Sequence, residues 1–152
     1  MITVQVDDAI LKQLQQRLAG FSPLVLAQIY RALGPLVCQA LGNAVPKYFA
    51  GSGGSSENML ASRSGDLLNS VLQSIQATAD GEKLSISIGS SLPYAAIHEY
   101  GGYAGRRGPF KKKEGRRPYL RPRPYLRPAI NDLQQALPAL LEQAIQQVQV
   151  SL

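Results

Sequence analysis

The residues best suited to chemistry in this 152-residue sequence are His98 and the adjacent Glu99. A histidine next to a carboxylate can act as a general base in hydrolysis, but a triad also needs a nucleophile facing it. No serine lies in the Gly-x-Ser-x-Gly phrase that exposes such a nucleophile. We therefore interpret His98, the only histidine in the chain, as a packing or hydrogen-bonding residue beside a turn. We predict that the chain is not an enzyme.

Metal and phosphate chemistry are not indicated either. One histidine and one cysteine cannot supply the three or four ligands of a usual metal site. The glycine-rich residues 51–55 lack the Lys-Ser/Thr that follows in a phosphate-binding loop. Cys38 lies among apolar residues, which predicts a buried thiol, and a single cysteine excludes an internal disulfide. We expect no cofactor.

The strongest electrostatic feature is a basic segment at residues 101–130. It holds ten basic residues against one acid, a net charge of +9. The other 122 residues hold six basic and nine acidic residues, a net charge of −3. We therefore expect an electrostatic function to be localised in this segment. Its basic residues, candidates for contact with a neighbouring subunit or with DNA, are Arg106, Arg107, Lys111, Lys112, Lys113, Arg116, Arg117, Arg121, Arg123 and Arg127.

A six-residue unit, Arg-Pro-Tyr-Leu-Arg-Pro, occurs twice without a gap inside the basic segment, at residues 117–122 and 123–128. Its prolines remove backbone donors and favour extended conformations in the residues before them. This predicts an extended arm or edge segment, and neither a central strand nor a helix. The residues predicted to anchor this arm on a protein surface are Tyr119, Leu120, Tyr125 and Leu126.

The first half of the chain reads as helices that follow a short strand. Apolar alternation predicts a strand at residues 2–6, and helical spacing predicts a helix over 9–20 that ends at Gly20. A second helix spans 23–49, with Ser22 as N-cap and Pro23 in its first turn. Gly34-Pro35 is expected to kink this helix and Pro46 to end or bend it. Residues 50–62 are rich in Gly and Ser and predict a flexible loop.

The middle of the chain allows two interpretations. Ser64 is expected to cap a short helix that carries Leu67 and Leu68. Beyond it, alternating apolar residues around Asp80-Gly81 predict a β-hairpin of 71–79 with 82–89, although continuation of the helix to about residue 77 also fits the spacing. A helical turn at 93–100 then ends at Gly101-Gly102.

The rest of the chain predicts a flexible loop over 102–124 and a last helix over 129–150, with Pro128 in its first turn and a bend at Pro138. We therefore predict a single α+β domain over residues 1–152. A small antiparallel sheet is packed by N-terminal helices and a C-terminal helix, and a long basic loop projects from it. We identify no signal peptide or membrane span.

Three stretches, in order and with similar spacing, resemble the tail completion or virion morphogenesis proteins of tailed bacteriophages, including the Mu-like and lambdoid types. They are RSGDLLNSV at 63–71, LPYAAIHEYGG at 92–102 and RPYLRPAI at 123–130. The resemblance covers about residues 60–150, and the first repeat copy at 117–122 is an addition to the family's pattern. The residues that carry the resemblance are Ser64, Gly65, Leu67, Tyr94, Ala95, His98, Glu99, Tyr100, Gly101, Pro124 and Pro128.

The resemblance implies a structural protein at the head–tail junction of a virion, in the role of tail terminator, completion protein or neck protein. It implies a ring of identical subunits, and we expect a hexamer or dodecamer assembled in the host cytoplasm. The expected partners are other neck, connector, tail-tube or sheath proteins. Double-stranded phage DNA in the channel is a further candidate partner, and no membrane is expected.

Three interpretations of the basic segment remain open from the sequence. It can be a solvated loop, a surface that docks on an acidic subunit, or a contact to DNA phosphates that reads no base sequence. The alternative to a virion protein is a stand-alone, sequence-independent nucleic-acid-binding protein. Such a protein would be monomeric or dimeric and would bind duplex DNA in a strongly salt-dependent way.

Overall fold

The computed structural model describes residues 13, 15–50, 60–61, 65–80, 83–103 and 119–150. The strand predicted at 2–6 lies outside these residues. Residues 15–18 are helical and a turn follows at 19–20, in agreement with the stop predicted at Gly20.

The first long helix, α1, spans Pro23–Ala44 and starts as its sequence predicts. Ser22 is the extended N-cap residue and Pro23 occupies the first turn, where its missing N–H costs nothing. The Ser22 carbonyl accepts the first helical hydrogen bond, from the Leu26 N–H at 2.9 Å, and the Ser22 side chain makes no cap bond. The predicted end near Pro46 is confirmed, since a 3₁₀ turn over Val45–Tyr48 replaces the α-helix.

The last helix, α4, spans Leu126–Val150 and packs along α1. Its predicted start at 129 is three residues late, and Pro128 lies in its first turn as expected. Burial of the facing leucines drives this packing, and a fully buried leucine contributes about 1.5–3 kcal/mol. The buried cluster between the two helices contains Leu18, Ile29, Leu33, Val37, Leu41, Leu133, Leu137, Leu141, Ala144 and Val148.

The middle of the chain combines both interpretations that the sequence left open. Helix α2 spans Asp66–Ser74, so residues 71–74, which we placed in a strand, are helical. The hairpin follows it as β3 (Gln76–Ala79) and β4 (Leu84–Ser87), paired antiparallel. Leu67 and Val71 are buried on the inner face of α2, and burial on that face holds the helix for nine residues. The predicted hairpin is therefore confirmed but shorter.

The predicted small antiparallel sheet is confirmed in part. The described strands form three separate two-stranded ladders, of which two are antiparallel and one is parallel. β1 (Phe49–Ala50) pairs with β2 (Leu60–Ala61) in parallel, across the Gly/Ser-rich stretch. β5 (Gly102–Tyr103) pairs antiparallel with β6 (Tyr119–Leu120), across the basic loop. Residues 50 and 60–61 of the loop predicted at 50–62 therefore lie in strands. So do residues 102–103 and 119–120 of the loop predicted at 102–124.

A second buried cluster joins the start of α4 to α2 and to helix α3, which spans Ala95–Tyr100. Tyr125 is fully buried there, and its ring lies 5.1 Å from the ring of Phe49. The remaining buried members are Ala44, Val45, Leu60, Leu67, Val71, Ala95, Leu126 and Ala129. This cluster fixes α3 and the first turn of α4 side by side.

Residues 23–48 are long and apolar enough to cross a bilayer, with a mean hydropathy of 1.4 over their most apolar window. We expected no membrane span from the sequence. The core helix of a soluble protein meets the same criterion, and one face of α1 is packed against α4. Only 28% of that window is fully buried; most other apolar side chains of α1 are half-buried against the core, and Leu24 is exposed.

Candidate assembly interface

Glu99, in the last turn of α3, is the one buried charged residue among those the structure describes, with an exposure of 0%. Its carboxylate points at the start of α4, where helical N–H groups have no partner within the helix. Oε2 accepts the backbone N–H of Tyr125 at 2.8 Å and of Leu126 at 3.0 Å, and Oε1 accepts that of Arg127 at 3.1 Å. Glu99 is therefore the N-terminal cap of α4, supplied from 26 residues earlier.

Arg127 completes this contact from the α4 side. Its Nε donates to Glu99 Oε1 at 3.1 Å, and its second guanidinium nitrogen donates to the Glu99 carbonyl at 2.9 Å. The same guanidinium lies 5.1 Å from the centre of the Tyr100 ring, within the range of a cation–π contact. The buried charge is thus paired and fully hydrogen-bonded, as a buried carboxylate must be. We call Glu99, Tyr125, Leu126 and Arg127 the Glu99 clasp.

Further contacts tie the two halves of the clasp together. The Arg123 N–H donates to the His98 carbonyl at 2.7 Å, and the Tyr125 hydroxyl donates to the Ala95 carbonyl at 3.4 Å. Burial, and then the charge of Glu99, raise the pKa of that hydroxyl, so it stays a donor. The second and third stretches that resemble the phage family therefore meet here.

The chain crosses itself closely above the clasp. Gly101 has a φ of +74°, which favours glycine, and a Cβ there would lie 2.8 Å from Pro122 Cδ and 3.0 Å from the Leu120 carbonyl oxygen. Only a residue without a side chain fits this crossing. It allows β5 to pair with β6, with Gly102 opposite Leu120 and Tyr103 opposite Tyr119. Tyr103 and Tyr119, the described residues on either side of 104–118, are therefore adjacent.

A cluster of exposed aromatic side chains includes these two tyrosines. Tyr103 is 65% exposed and Tyr119 is 56% exposed, and their rings contact edge to face at a 5.4 Å centroid distance. Of the seven exposed large apolar or aromatic side chains among the described residues, five belong to α3 with its N-cap residue, to β5 or to β6. Tyrosine and arginine are the residues most enriched in binding hot spots. We call this the tyrosine surface; its members are Tyr94, Tyr100, Tyr103, Tyr119 and Leu120.

The structure separates the predicted arm residues into three groups. Tyr125 and Leu126 are buried in the chain's own core, so they fix the base of the arm. Tyr119 and Leu120 are exposed and remain free to contact another molecule. Arg127 is bound to Glu99, while the side chains of Arg121 and Arg123 make no contact within the described residues that would neutralise them. The other predicted basic residues, Arg106, Arg107, Lys111, Lys112, Lys113, Arg116 and Arg117, lie outside the described part of the chain.

The repeat does not behave as one extended segment. Pro124 is partly buried in the turn before α4, and Leu126, Arg127 and Pro128 of the second copy form the first turn of that helix. Our prediction that the repeat excludes a helix is therefore wrong for the second copy. Proline is compatible with a first helical turn, because N–H groups there need no partner within the helix.

The first family stretch positions α2. The N-cap residue is Gly65, with a φ of 76°, and not Ser64 as predicted; Ser64 lies outside the described residues. Leu67 is buried in the cluster beneath the clasp. Ser74 Oγ accepts the Gly89 N–H at 2.9 Å and lies 2.7 Å from the Gly89 carbonyl, which fixes the end of the hairpin to α2. Through Leu67, helix α2 packs in the same buried cluster as Tyr125 and Leu126 of the clasp.

Catalytic chemistry finds no support in the described part of the chain. His98 is half-buried with its ring edge-on to Tyr94 at 5.9 Å, which agrees with a packing role. No group of three or more metal-ligating side chains occurs among the described residues. Cys38 is partly exposed, contrary to our prediction, because it lines a groove between α1 and the β3–β4 hairpin.

His98 gives a pH-dependent prediction. Burial, and then the charge of Arg123, lower its pKa from the ordinary 6.5, so the fold favours the neutral ring. The stability that His98 contributes is present above pH 6.5 and is lost as the pH falls through the lower folded pKa. An NMR titration of this single imidazole should give a midpoint below 6.5, and the unfolding free energy of His98→Gln should depend less on pH between these values. A midpoint at or above 6.5 contradicts this assignment.

Sequence reasoning selected Glu99 as a family residue but missed its capping role and the tyrosine surface. The cap has no local signal, because its partners lie 26 residues away. The tyrosine surface had one: Tyr100 and Tyr103 flank Gly101-Gly102, and Tyr119 lies within the first repeat copy.

The described residues form a small α+β fold, and its site is a buried carboxylate that caps α4 beside a surface of exposed tyrosines. Residues 37–146 match the sequence profile of the phage virion morphogenesis family, and the chain belongs to that family. Its members are generally structural and not enzymatic, which implies an assembly role and an association with the virion. No curated protein and no solved structure matches the chain.

Proposed function

We propose that this protein forms a ring at the head–tail junction of the virion, as a terminator, completion or neck protein. The observation that carries the proposal is the Glu99 clasp. Two stretches that resemble the phage family are joined by a buried carboxylate, and together they form a rigid base for an exposed surface. A rigid, tyrosine-rich surface is suited to assembly, because little conformational entropy is lost on docking.

The uncovered apolar surface of α1 supports self-association. Leu24 is 74% exposed, and the groove beside Cys38 is lined by apolar side chains of α1 and the hairpin. A helix this apolar is usually covered on all sides, and a second copy in a closed ring would cover it. The proposed partners are therefore further copies, in a hexamer or dodecamer, together with the neighbouring neck, connector, tail-tube or sheath proteins.

The ring can be tested on the purified full-length chain. Light scattering after size-exclusion chromatography should give the mass of a hexamer or dodecamer, and negative-stain images should show annular particles. The variant Leu24→Glu places a charge on the uncovered face and should lower the mass, whereas Gln143→Glu, on the exposed polar face of α4, should not. A monomeric wild-type chain, or equal effects of the two variants, would contradict the ring.

The junction itself requires a separate experiment. A tagged chain incorporated into particles should be labelled at the neck, and labelling along the whole tail would contradict the location. The alternative function, a stand-alone nucleic-acid-binding protein, is favoured by the net charge of +9 in the basic segment. It predicts a monomer or dimer that is absent from purified particles.

A further inference from the structure

The tyrosine surface is bordered by positive charge, and the described residues of the elements that form it include no exposed acid. Arg121 is exposed, Arg123 is partly exposed, and Arg127 lies over the Tyr100 ring. Among the described residues of α3, β5, β6 and the turn before α4, the one acid is Glu99, and it is fully buried in the clasp. The surface therefore offers guanidinium groups and tyrosine hydroxyls to an anionic partner.

A second copy of this chain offers less negative charge than a DNA duplex does. Asp132 accepts the Tyr48 hydroxyl at 2.8 Å and lies 4.0 Å from Lys47 Nζ, and Glu142 is paired with Arg17. Asp80 is exposed, but the 122 residues outside the basic segment carry a net charge of only −3, against +9 within it. A duplex carries one negative charge for about every 1.7 Å of its axis. The charge density of DNA therefore matches this surface better than that of a second copy.

We propose that the tyrosine surface, with Arg121 and Arg123, binds the phosphate backbone of double-stranded DNA without reading its sequence. Arginine and tyrosine side chains are common donors to phosphate oxygens, and such contacts carry no base information. The biological setting rests on the proposed function, since DNA passes the head–tail junction. The binding itself does not rest on it and can be measured on the isolated protein.

The Glu99 clasp makes this surface a preorganised one. It fixes the turn from Pro122 to Tyr125 against α3, so the two arginines keep their position relative to the exposed tyrosines. The Glu99 carboxylate would repel phosphate if it were exposed, but its oxygens are occupied by four N–H donors. Glu99, the one acid among the described residues of this surface, is therefore occupied in stabilising the fold. The side chains of Arg121 and Arg123 remain available to a ligand.

The test is fluorescence anisotropy with the full-length protein and two short labelled duplexes of unrelated sequence, over a range of salt concentrations. The variant Arg121→Gln/Arg123→Gln is compared with Arg17→Gln/Lys83→Gln, which removes two exposed charges, one beside Glu142 in the second half of α4 and one on the hairpin. Both variants lower the net charge from +6 by the same two units. Any difference between them therefore reports the position of the charges and not their number.

We expect wild type to bind both duplexes equally, with an affinity that falls steeply with salt. Loss of two phosphate contacts should lower the slope of log K against log salt by about 1.8, so the affinity lost between about 50 and 200 mM salt becomes about 10-fold smaller. The control variant should retain the wild-type slope. Tyr103→Phe/Tyr119→Phe, which removes only hydroxyl donors, should weaken binding at every salt concentration.

Three results would overturn the proposal: no binding by wild type at low salt, equal weakening by both charge variants, or a clear preference for one duplex. If Arg121→Gln/Arg123→Gln lowers the oligomer mass and leaves DNA binding unchanged, the surface contacts protein instead. The proposed ring fails separately, through the mass of the wild-type chain, so the two failures can be told apart.

Discussion

The Glu99→Ala variant is expected to lose about 3–5 kcal/mol of its unfolding free energy, because a buried donor left without its partner costs about 1–3 kcal/mol. Three backbone N–H groups at the start of α4 lose the acceptor that Glu99 supplies. The total unfolding free energy of a small domain is only about 5–15 kcal/mol, so a large fraction of the variant should be unfolded near the growth temperature of the host. Chemical denaturation with circular dichroism measures the change.

The matched control is Glu142→Ala. Glu142 is also a glutamate paired with an arginine, but both side chains are about half exposed, and exposed pairs contribute about 0–1 kcal/mol. Glu99→Gln should lie between the two alanine variants. Its amide keeps one acceptor oxygen but turns a donor toward two of the N–H groups now bound by the carboxylate. Equal stability of Glu99→Ala and Glu142→Ala would show that the clasp does not stabilise the fold.

Hydrogen exchange identifies where the stability is lost. In wild type, the amides of Tyr125, Leu126 and Arg127 are bonded to Glu99 and should exchange slowly, although they precede the regular hydrogen bonds of α4. In Glu99→Gln these three amides should exchange much faster, while amides in the middle of α4 change less. Uniform acceleration along the whole helix would argue against a local cap.

Replacing residues 104–118 with Asn-Gly is expected to leave a folded chain that no longer joins heads to tails. The replacement suits the structure, because Tyr103 lies directly opposite Tyr119 and a two-residue type I′ turn can close an antiparallel pair. The residues removed include seven of the ten basic residues of the basic segment. We expect free heads and free tails to accumulate and infectious particles to fall to background, as counted by plaque assay and electron microscopy.

A second loop variant separates charge from length. It keeps residues 104–118 at full length and changes the seven basic residues to glutamine or serine. If charge is what the loop supplies, this variant fails as completely as the short one, whereas recovery of joined particles would assign the loop a steric role. Normal yields of infectious particles from the short variant would show that residues 104–118 are dispensable. That result would contradict the proposal that the basic segment acts in joining heads to tails.

Helices with strong local signals were predictable from the sequence. Ser22-Pro23 fixed the start of α1, and the apolar spacing of α4 gave its course, since one amphipathic face must be buried whatever it packs on. The hairpin turn at Asp80 was also found from its residues. The end of α2 was not, because both periodicities fit residues 71–74 and burial of Val71 decided the outcome.

The four residues of the Glu99 clasp were all singled out in the sequence, but their arrangement was not. Glu99 stood among the residues that carry the family resemblance, and Tyr125, Leu126 and Arg127 among those of the arm. That a carboxylate would cap a helix 26 residues later follows from no local rule. The same is true of the crossing at Gly101, where the need for glycine comes from Pro122 lying against it.

The tandem repeat shows most directly what each level determines. By itself the sequence determined the charge of the basic segment, its prolines and the two identical copies of Arg-Pro-Tyr-Leu-Arg-Pro. Only the tertiary structure decided that Tyr119 is 56% exposed in a two-residue strand while Tyr125 is 0% exposed at the start of a helix. Identical hexapeptides have identical local preferences, so the difference comes from their surroundings: the second copy meets the Glu99 carboxylate and an apolar pocket beside Phe49, and the first meets β5 and solvent.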